Sequence, residues 1–153
     1  MEMMPDPSVI SDITITDGGE TLNIAEMLKA INKRIEYLYD REHTIGHAFF
    51  TGLKGKNATM KNLANVFENK VVPLLQEYFY EDYEKIQLVL GDNDKSSDDY
   101  KFILDKKVNE NEIFKKSPQL DLHEKTYEIQ KGAFDKIRSY IEITETYIKH
   151  VIL

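Results

Sequence analysis

No cysteine occurs anywhere in the 153 residues, which removes disulfides, thiolate metal ligands and a cysteine nucleophile together and suits a reducing cytoplasm. Positive charge is also scarce: 20 Lys and Arg against 27 Asp and Glu give a formal net charge of −7. That balance lacks the cationic excess on which tight, sequence-independent binding to nucleic acid draws, whereas a basic partner or a basic neighbouring subunit is easily accommodated. Long apolar runs are missing too. No stretch approaches the roughly 20 residues needed to cross a bilayer, and the opening Met1-Glu2-Met3-Met4-Pro5-Asp6 is not a basic segment followed by an apolar one, so neither a membrane span nor a signal peptide is expected. A hydrophobic fraction of 41% beside 31% charged residues leaves a cytoplasmic, mostly helical, acidic domain as the expected class.

The breaker-rich start, Met4 to Ser8, reads as an extended connection, and Ile13 to Thr16 as a short strand or a loop ended by Asp17-Gly18-Gly19. The clearest helix follows. Thr21 or Asn23 can cap it, and Ile24, Met27, Leu28, Ile31, Ile35 and Leu38 recur at three- and four-residue intervals. Asp40 to Gly46 breaks that period. A second long helix starts near Asn57 or Thr59, with Leu63, Val66, Phe67 and Val71 on its buried stripe; Pro73 inside the pattern predicts a kink or a restart. Asp82 can cap a shorter helix through Leu90. Gly91 to Asp99 reads as a solvated acidic loop, and beyond it the pattern changes. Tyr100–Leu104 and Thr126–Ile129 look like short strands, Asn109–Lys125 like a polar loop with one helical turn at 112–115, and Ala133–Arg138 like a helix. The expected division is an extended linker over 1–20, a helical unit over 21–92 and a small α+β appendage over 93–153, with the state of the tail from Tyr140 open.

Three chemical motifs fail on inspection. Gly55-Lys56 lacks the first glycine of a phosphate-binding loop, where Phe50 stands, and the following Ser or Thr, where Asn57 stands. Asp92, Asp94, Asp98 and Asp99 do not match an EF-hand loop, because Ser97 and Ile103 occupy its glycine and glutamate positions. His43 and His47 have the four-residue spacing of helical metal ligands, but Thr44 replaces the catalytic Glu and no third ligand is evident. No catalytic residue and no metal site are expected. Tyr78, Phe79, Tyr80 and Tyr83 are surrounded by Glu77, Glu81, Asp82 and Glu84 rather than by cations, which favours packing, with one or two rings at a subunit interface, over base stacking.

The informative stretch is Ile31 to Phe50, which contains Asn32, Arg34-Ile35-Glu36, Leu38 and then Asp40-Arg41-Glu42-His43-Thr44-Ile45-Gly46-His47-Ala48-Phe49-Phe50. It resembles the McrB family of AAA+ GTPases, in which N-x-R-I-E-x-L runs into D-R-(D/E)-H-x-I-G-H-S-Y-F. Phe67 to Tyr80 is similar to that family's F-x-x-K-I-x-P-L-L-x-E-Y-F-Y. Tyr127-Glu128-Ile129, Ala133-Phe134 and Tyr140 to Ile143 are similar to the usual end of these chains, and Met4-Pro5-Asp6-Pro7 to the segment after the last core strand. Ala48 departs from the family's Ser.

The resemblance implies a mainly α fold, the C-terminal helical lid of an AAA+ protein followed by a small α+β piece with two or three short strands. It implies a parent protein that hydrolyses GTP or ATP with Mg²⁺, assembles as a hexameric ring, and powers modification-dependent DNA restriction with a McrC-type nuclease subunit, other domains contacting DNA. The phosphate-binding loop, the acidic Mg²⁺ strand and the arginine fingers belong to the AAA+ core, and none is found here, so this segment is expected to sense nucleotide without catalysing by itself. By resemblance, Arg41, His43, Gly46 and His47 fall in the sensor-2 region, with Arg41 as the leading cation. From the bare residues, Arg41 can equally pair with Asp40 or Glu42, and His47 can be a hydrogen-bonded, partly buried histidine. Two other functions compete: the lid of an AAA+ ATPase from another defence or remodelling system, and a free-standing protein-interaction module.

Overall fold

The structure, a computed structural model, describes residues 12–107 and 125–144. Gly18 and Gly19 have φ of 59° and 82°, the left-handed pair that a two-residue hairpin turn needs and that glycine adopts without a Cβ penalty. They join β1 (Thr14–Asp17) to an antiparallel β2 (Glu20–Asn23), with Ile15 opposite Leu22. Strand alternation sends Ile15 and Leu22 into the core and leaves Thr16 and Thr21 outside, their hydroxyl oxygens 3.1 Å apart. Ile24 N donates to Ile13 O, so the hairpin runs directly into the first helix. The expected boundary at 20/21 lies inside this hairpin: residues 12–20 pack rather than link.

Helix α1 (Ile24–Leu38) starts where Asn23 Oδ1 accepts from Glu26 N at 3.0 Å, a cap that contributes about 1 kcal/mol. Its buried face carries Ile24, Met27, Leu28, Ile31, Asn32 and Ile35. Helix α2 (Met60–Val66), capped by Thr59, continues through a π-helical turn, Phe67–Val71, into α3 (Val72–Tyr78). The kink or restart expected at Pro73 takes the form of this turn, after which α3 starts at Val72. Val72 N reaches back five residues to Phe67 O, which leaves Pro73 in the first turn of α3, where a missing N–H costs nothing.

Helix α4 (Tyr83–Leu90) is capped by Asp82 and ended by Gly91, whose φ is 74°. A Cβ on Gly91 would stand 3.3 Å from Arg34 Nη1 and 3.4 Å from Glu142 O. Gly91→Ala therefore combines a disfavoured φ with crowding, and the expected loss is about 1–3 kcal/mol, read from the midpoint of urea unfolding.

The expected solvated loop at Gly91–Asp99 is instead a folded knot. Asp92 is buried; its two carboxylate oxygens accept from Phe102 N and Ile103 N at 3.1 and 2.9 Å, and Lys95 Nζ lies 3.1 Å away. Sequence composition misses this because an acid that caps a distant strand looks the same as one in water. The strand after the knot, β3 (Ile103–Lys107), pairs antiparallel with β4 (Lys125–Ile129). The loop and helical turn expected across 109–125 lie outside the described residues except for Lys125.

A helix expected at 133–138 is shifted. Lys131–Asp135 is a 3₁₀ turn, Lys136 is extended, and α5 occupies Ile137–Thr144 with Ile137, Tyr140 and Ile143 buried. Residues 145–153 lie outside the described ones. Phe67 is the meeting point of the core: its ring is 4.7 Å from Tyr140, edge to face, and 5.6 Å from Phe102, while Phe102 touches Phe134 at 5.1 Å. Residues on both sides of the expected 92/93 boundary thus fill one hydrophobic core. The architecture is mainly helical with two small antiparallel sheets.

Candidate functional site

The segment from Asp40 to Phe50 is a strap laid over the end of α1. Helix α1 stops when Tyr39 N donates to Ile35 O and the chain turns extended at Asp40. The Asp40 carboxylate accepts from His43 N at 2.9 Å and contacts His43 Nδ1 at 2.5 Å, closing a 3₁₀ turn over Arg41–His43. This hydrogen bond from the His43 side chain holds the Asp40 carboxyl below its ordinary range. The His43 ring is packed between Tyr39 at 4.3 Å and Tyr78 at 5.1 Å. Thr44 to Gly46 is extended, and a second 3₁₀ turn covers His47–Phe49 before Phe50 enters the core.

What fixes the strap is Asn32. Its Nδ2 donates to Ile45 O at 2.8 Å, and its Oδ1 accepts from Ile45 N at 2.6 Å, so one buried side-chain amide satisfies both backbone groups of one buried residue. Ile45 itself is fully buried, and the flanking positions are held toward the surface. No role was expected for Asn32 from the sequence. The signal was available: it is a polar residue in phase with the apolar stripe of α1, and buried amides must find partners.

The four expected site residues occupy this strap without converging on a cavity. Arg41 is exposed and forms no ion pair among the described residues; Asp40 is engaged by His43, so the surface pairing open to Arg41 from its sequence neighbours does not form. His43 is half-buried in the aromatic cluster. His47 is half-buried in the second turn, where it has interactions of its own. The extended segment between the two turns prevents His43 and His47 from sharing a helical face, and among the described residues no group of three or more His, Cys, Asp or Glu could hold a metal ion. Gly46 has an ordinary φ of −75°, and an added Cβ would approach Ala48 N no closer than 4.0 Å. Nothing within the chain demands glycine there. A groove of about 910 Å³ lies elsewhere, between α1, the end of α4 and the end of α5, with Arg34, Tyr37, Leu88 and Asp94 on its walls.

The expected aromatic cluster divides. Tyr78 and Phe79 close over the strap with Tyr39, Tyr83 stacks on Tyr127 at 5.6 Å, and Tyr80 is 87% exposed.

The family model for the alpha-helical lid domain of McrB matches residues 23–87. Residues 23–87 form a McrB-type lid. The match opens on the Asn23 cap and runs into α4, enclosing Asn32, the whole strap and the π turn, and a McrB-like AAA+ component is what such a lid belongs to. Comparison with curated proteins gives no match. Outside the matched residues, β1, the residue before β3, the 3₁₀ turn at Lys131–Asp135 and α5 supply Ile15, Phe102, Phe134 and Tyr140 to the same hydrophobic core. No helix among the described residues is long and apolar enough to cross a membrane.

Proposed function

We propose that this McrB-type lid covers GTP or ATP, held with Mg²⁺ by an AAA+ core, and that the strap from Asp40 to Phe50 is the surface turned toward the nucleotide. Arg41 is the cation that meets the terminal phosphate, His47 and the amides around Gly46 are secondary contacts, and His43 positions the turn through Asp40. The observation that supports this reading is the state of Arg41: an exposed guanidinium without an ion pair among the described residues, on a strap whose backbone is pinned from below by Asn32. A cation without a competing partner, carried on a backbone held in place, is what electrostatic preorganisation favours. The lid senses nucleotide and passes its state on by rigid-body movement; the chemistry belongs to the core.

In the same reading the parent is a cytoplasmic GTPase ring, a hexamer, that drives modification-dependent DNA restriction with a McrC-type nuclease subunit, DNA being held by other domains. Turnover of GTP and of ATP, compared for the lid joined to its AAA+ core, separates this from an ATPase of another defence or remodelling system. Arg41→Ala is expected to leave the unfolding midpoint unchanged and to lower nucleotide turnover about tenfold or more. Unchanged turnover would remove Arg41 from the site.

A further inference from the structure

The groove of about 910 Å³ lies between the outer side of α1 and the ends of α4 and α5. Its α1 wall is Ala30, Lys33, Arg34, Tyr37 and Leu38, one helical stripe at three- and four-residue spacing. This stripe is separate from the buried one that carries Ile24, Met27, Leu28, Ile31 and Ile35. Leu88 stands on the α4 side. Tyr37 is 89% exposed and Leu88 37%, and Leu88 is the one large aliphatic side chain so exposed among the described residues. A single exposed tyrosine or leucine needs no explanation, but two on the walls of one groove mark a surface that something covers.

The third wall ends at Thr144, the last residue of α5. Arg34 Nη2 donates to the neighbouring Ile143 O at 2.6 Å, which ties this point to α1. The sequence then continues as Glu145-Thr146-Tyr147-Ile148-Lys149-His150-Val151-Ile152-Leu153. Tyr147, Ile148, Val151 and Ile152 fall at i, i+1, i+4 and i+5, a spacing that puts apolar side chains on one side of a helix. Glu145 and Lys149 add one charge of each sign, and the groove wall offers Lys33 and Asp94 in return. Length is sufficient. Ala30 to Leu38 covers about 12 Å at 1.5 Å per residue, while residues 145–153 can span about 13 Å as a helix and about 30 Å extended.

We propose that residues 145–153 fold back into this groove, with Tyr147, Ile148, Val151 and Ile152 laid against Tyr37, Leu38 and Leu88. A segment of the same chain is favoured over a separate protein because its first residue is already tethered at the groove, so docking costs little translational freedom. Seated there, the tail covers Tyr37 and Leu88 and closes this face of the lid to other proteins. The inference uses no residue of the strap and stands apart from the nucleotide reading.

The absence of cysteine makes the test direct, because one introduced thiol is then unique in the chain. A nitroxide on His150→Cys in the full chain is expected to remove most of the intensity from the amide signals of Lys33, Tyr37 and Leu88, and to leave those of Lys54 and Lys56 at full strength. Tyr37→Ser/Leu88→Ser, at two exposed positions whose loss does not open the core, and Ile148→Asp/Ile152→Asp are each expected to restore the groove signals. A label that leaves the groove signals unchanged overturns the proposal, and so does broadening that survives both pairs of substitutions. Rival occupants are separated in the same way. Loss of intensity confined to mixtures of labelled chains with isotope-enriched, unlabelled ones assigns the groove to a second copy. Signals that recover when the lid is joined to its AAA+ core assign it to the core. Either result overturns the proposal as well.

Discussion

Lys95→Met is expected to cost about 3–5 kcal/mol of folding stability, the range seen when one member of a buried ion pair is removed and the other is left in place. The side chains of Lys95 and Asp92 are both 0% exposed, 3.1 Å apart. Lys95 Nζ also donates to Tyr100 O and Ser139 O, each at 2.7 Å, and lies 4.4 Å from the centre of the Phe102 ring. Burial raises the Asp92 carboxyl and lowers the Lys95 ammonium, against the attraction between them. Methionine fills the space of the alkyl chain but supplies no donor. It leaves a carboxylate and two carbonyls facing an apolar sulfur, so the loss comes from unsatisfied groups rather than from a cavity. Lys101→Met is the internal control. That lysine pairs with an Asp98 whose side chain is 77% exposed, and the expected cost is below about 1 kcal/mol. Urea unfolding of the two variants should separate them by several-fold; equal costs would mean that the knot from Asp92 to Phe102 contributes nothing to the stability of the lid.

That knot explains why the C-terminal residues belong to the same body as the matched lid. Ser96 N and Oγ donate to the two oxygens of Glu142 at 2.7 and 2.8 Å, and Arg138 joins Glu142 to Glu20 of the first hairpin. Burial pushes the Glu142 carboxyl up, but these hydrogen bonds outweigh it and hold the group below its ordinary range. Arg34 donates to Val89 O and to Ile143 O, satisfying carbonyls at the C-terminal ends of α4 and α5 together. Apart from Arg138–Glu142, which is one helical turn, each of these contacts crosses many residues in sequence.

The parts of the fold legible in the sequence are those written locally. The apolar stripe of α1, the Asp82 cap and the Gly91 stop all act within one or two turns of the residue concerned, so spacing and residue type are enough to place them. The same signals narrow the α1 cap to Thr21 or Asn23, of which Asn23 is used. The location of the strap was legible through its motif. What fixes it was not, because Asn32 and Ile45 meet across the end of a helix and neither residue marks the other. The π turn escaped for a related reason. Pro73 announces a disturbance in the hydrogen-bond ladder, but its presence does not say whether the helix answers by bending or by widening. The acidic loop was misread because its two most consequential charges, Asp92 and Lys95, are compositionally identical to solvated ones.

The second large effect is expected from Asn32→Leu, at about 2–4 kcal/mol. Leucine has the same branched arrangement of side-chain heavy atoms as asparagine, with bulkier methyl ends, and its apolar surface suits the stripe it would join, so a purely hydrophobic account predicts little change or a gain. The hydrogen-bonding account predicts the reverse. Removing the amide leaves Ile45 N and Ile45 O buried without partners, and each orphaned group costs about 1–3 kcal/mol. Asn32→Asp distinguishes the two halves of the interaction: it keeps an acceptor for Ile45 N, loses the donor to Ile45 O, and introduces a buried charge. Hydrogen exchange at the Ile45 amide reads the effect locally. In the wild type that amide is expected to exchange only with the core of α1; in Asn32→Leu the strap from Arg41 to His47 should open first, and the Ile45 amide should exchange about tenfold faster or more, while Ile31 and Ile35 on α1 remain protected. In the lid joined to its AAA+ core, nucleotide turnover should then fall with Arg41 still present, because a cation on an unpinned strap spends its time away from the position that Asn32 secures. Retained stability together with retained turnover would mean that the strap is held by the burial of Ile45 and Phe50 alone.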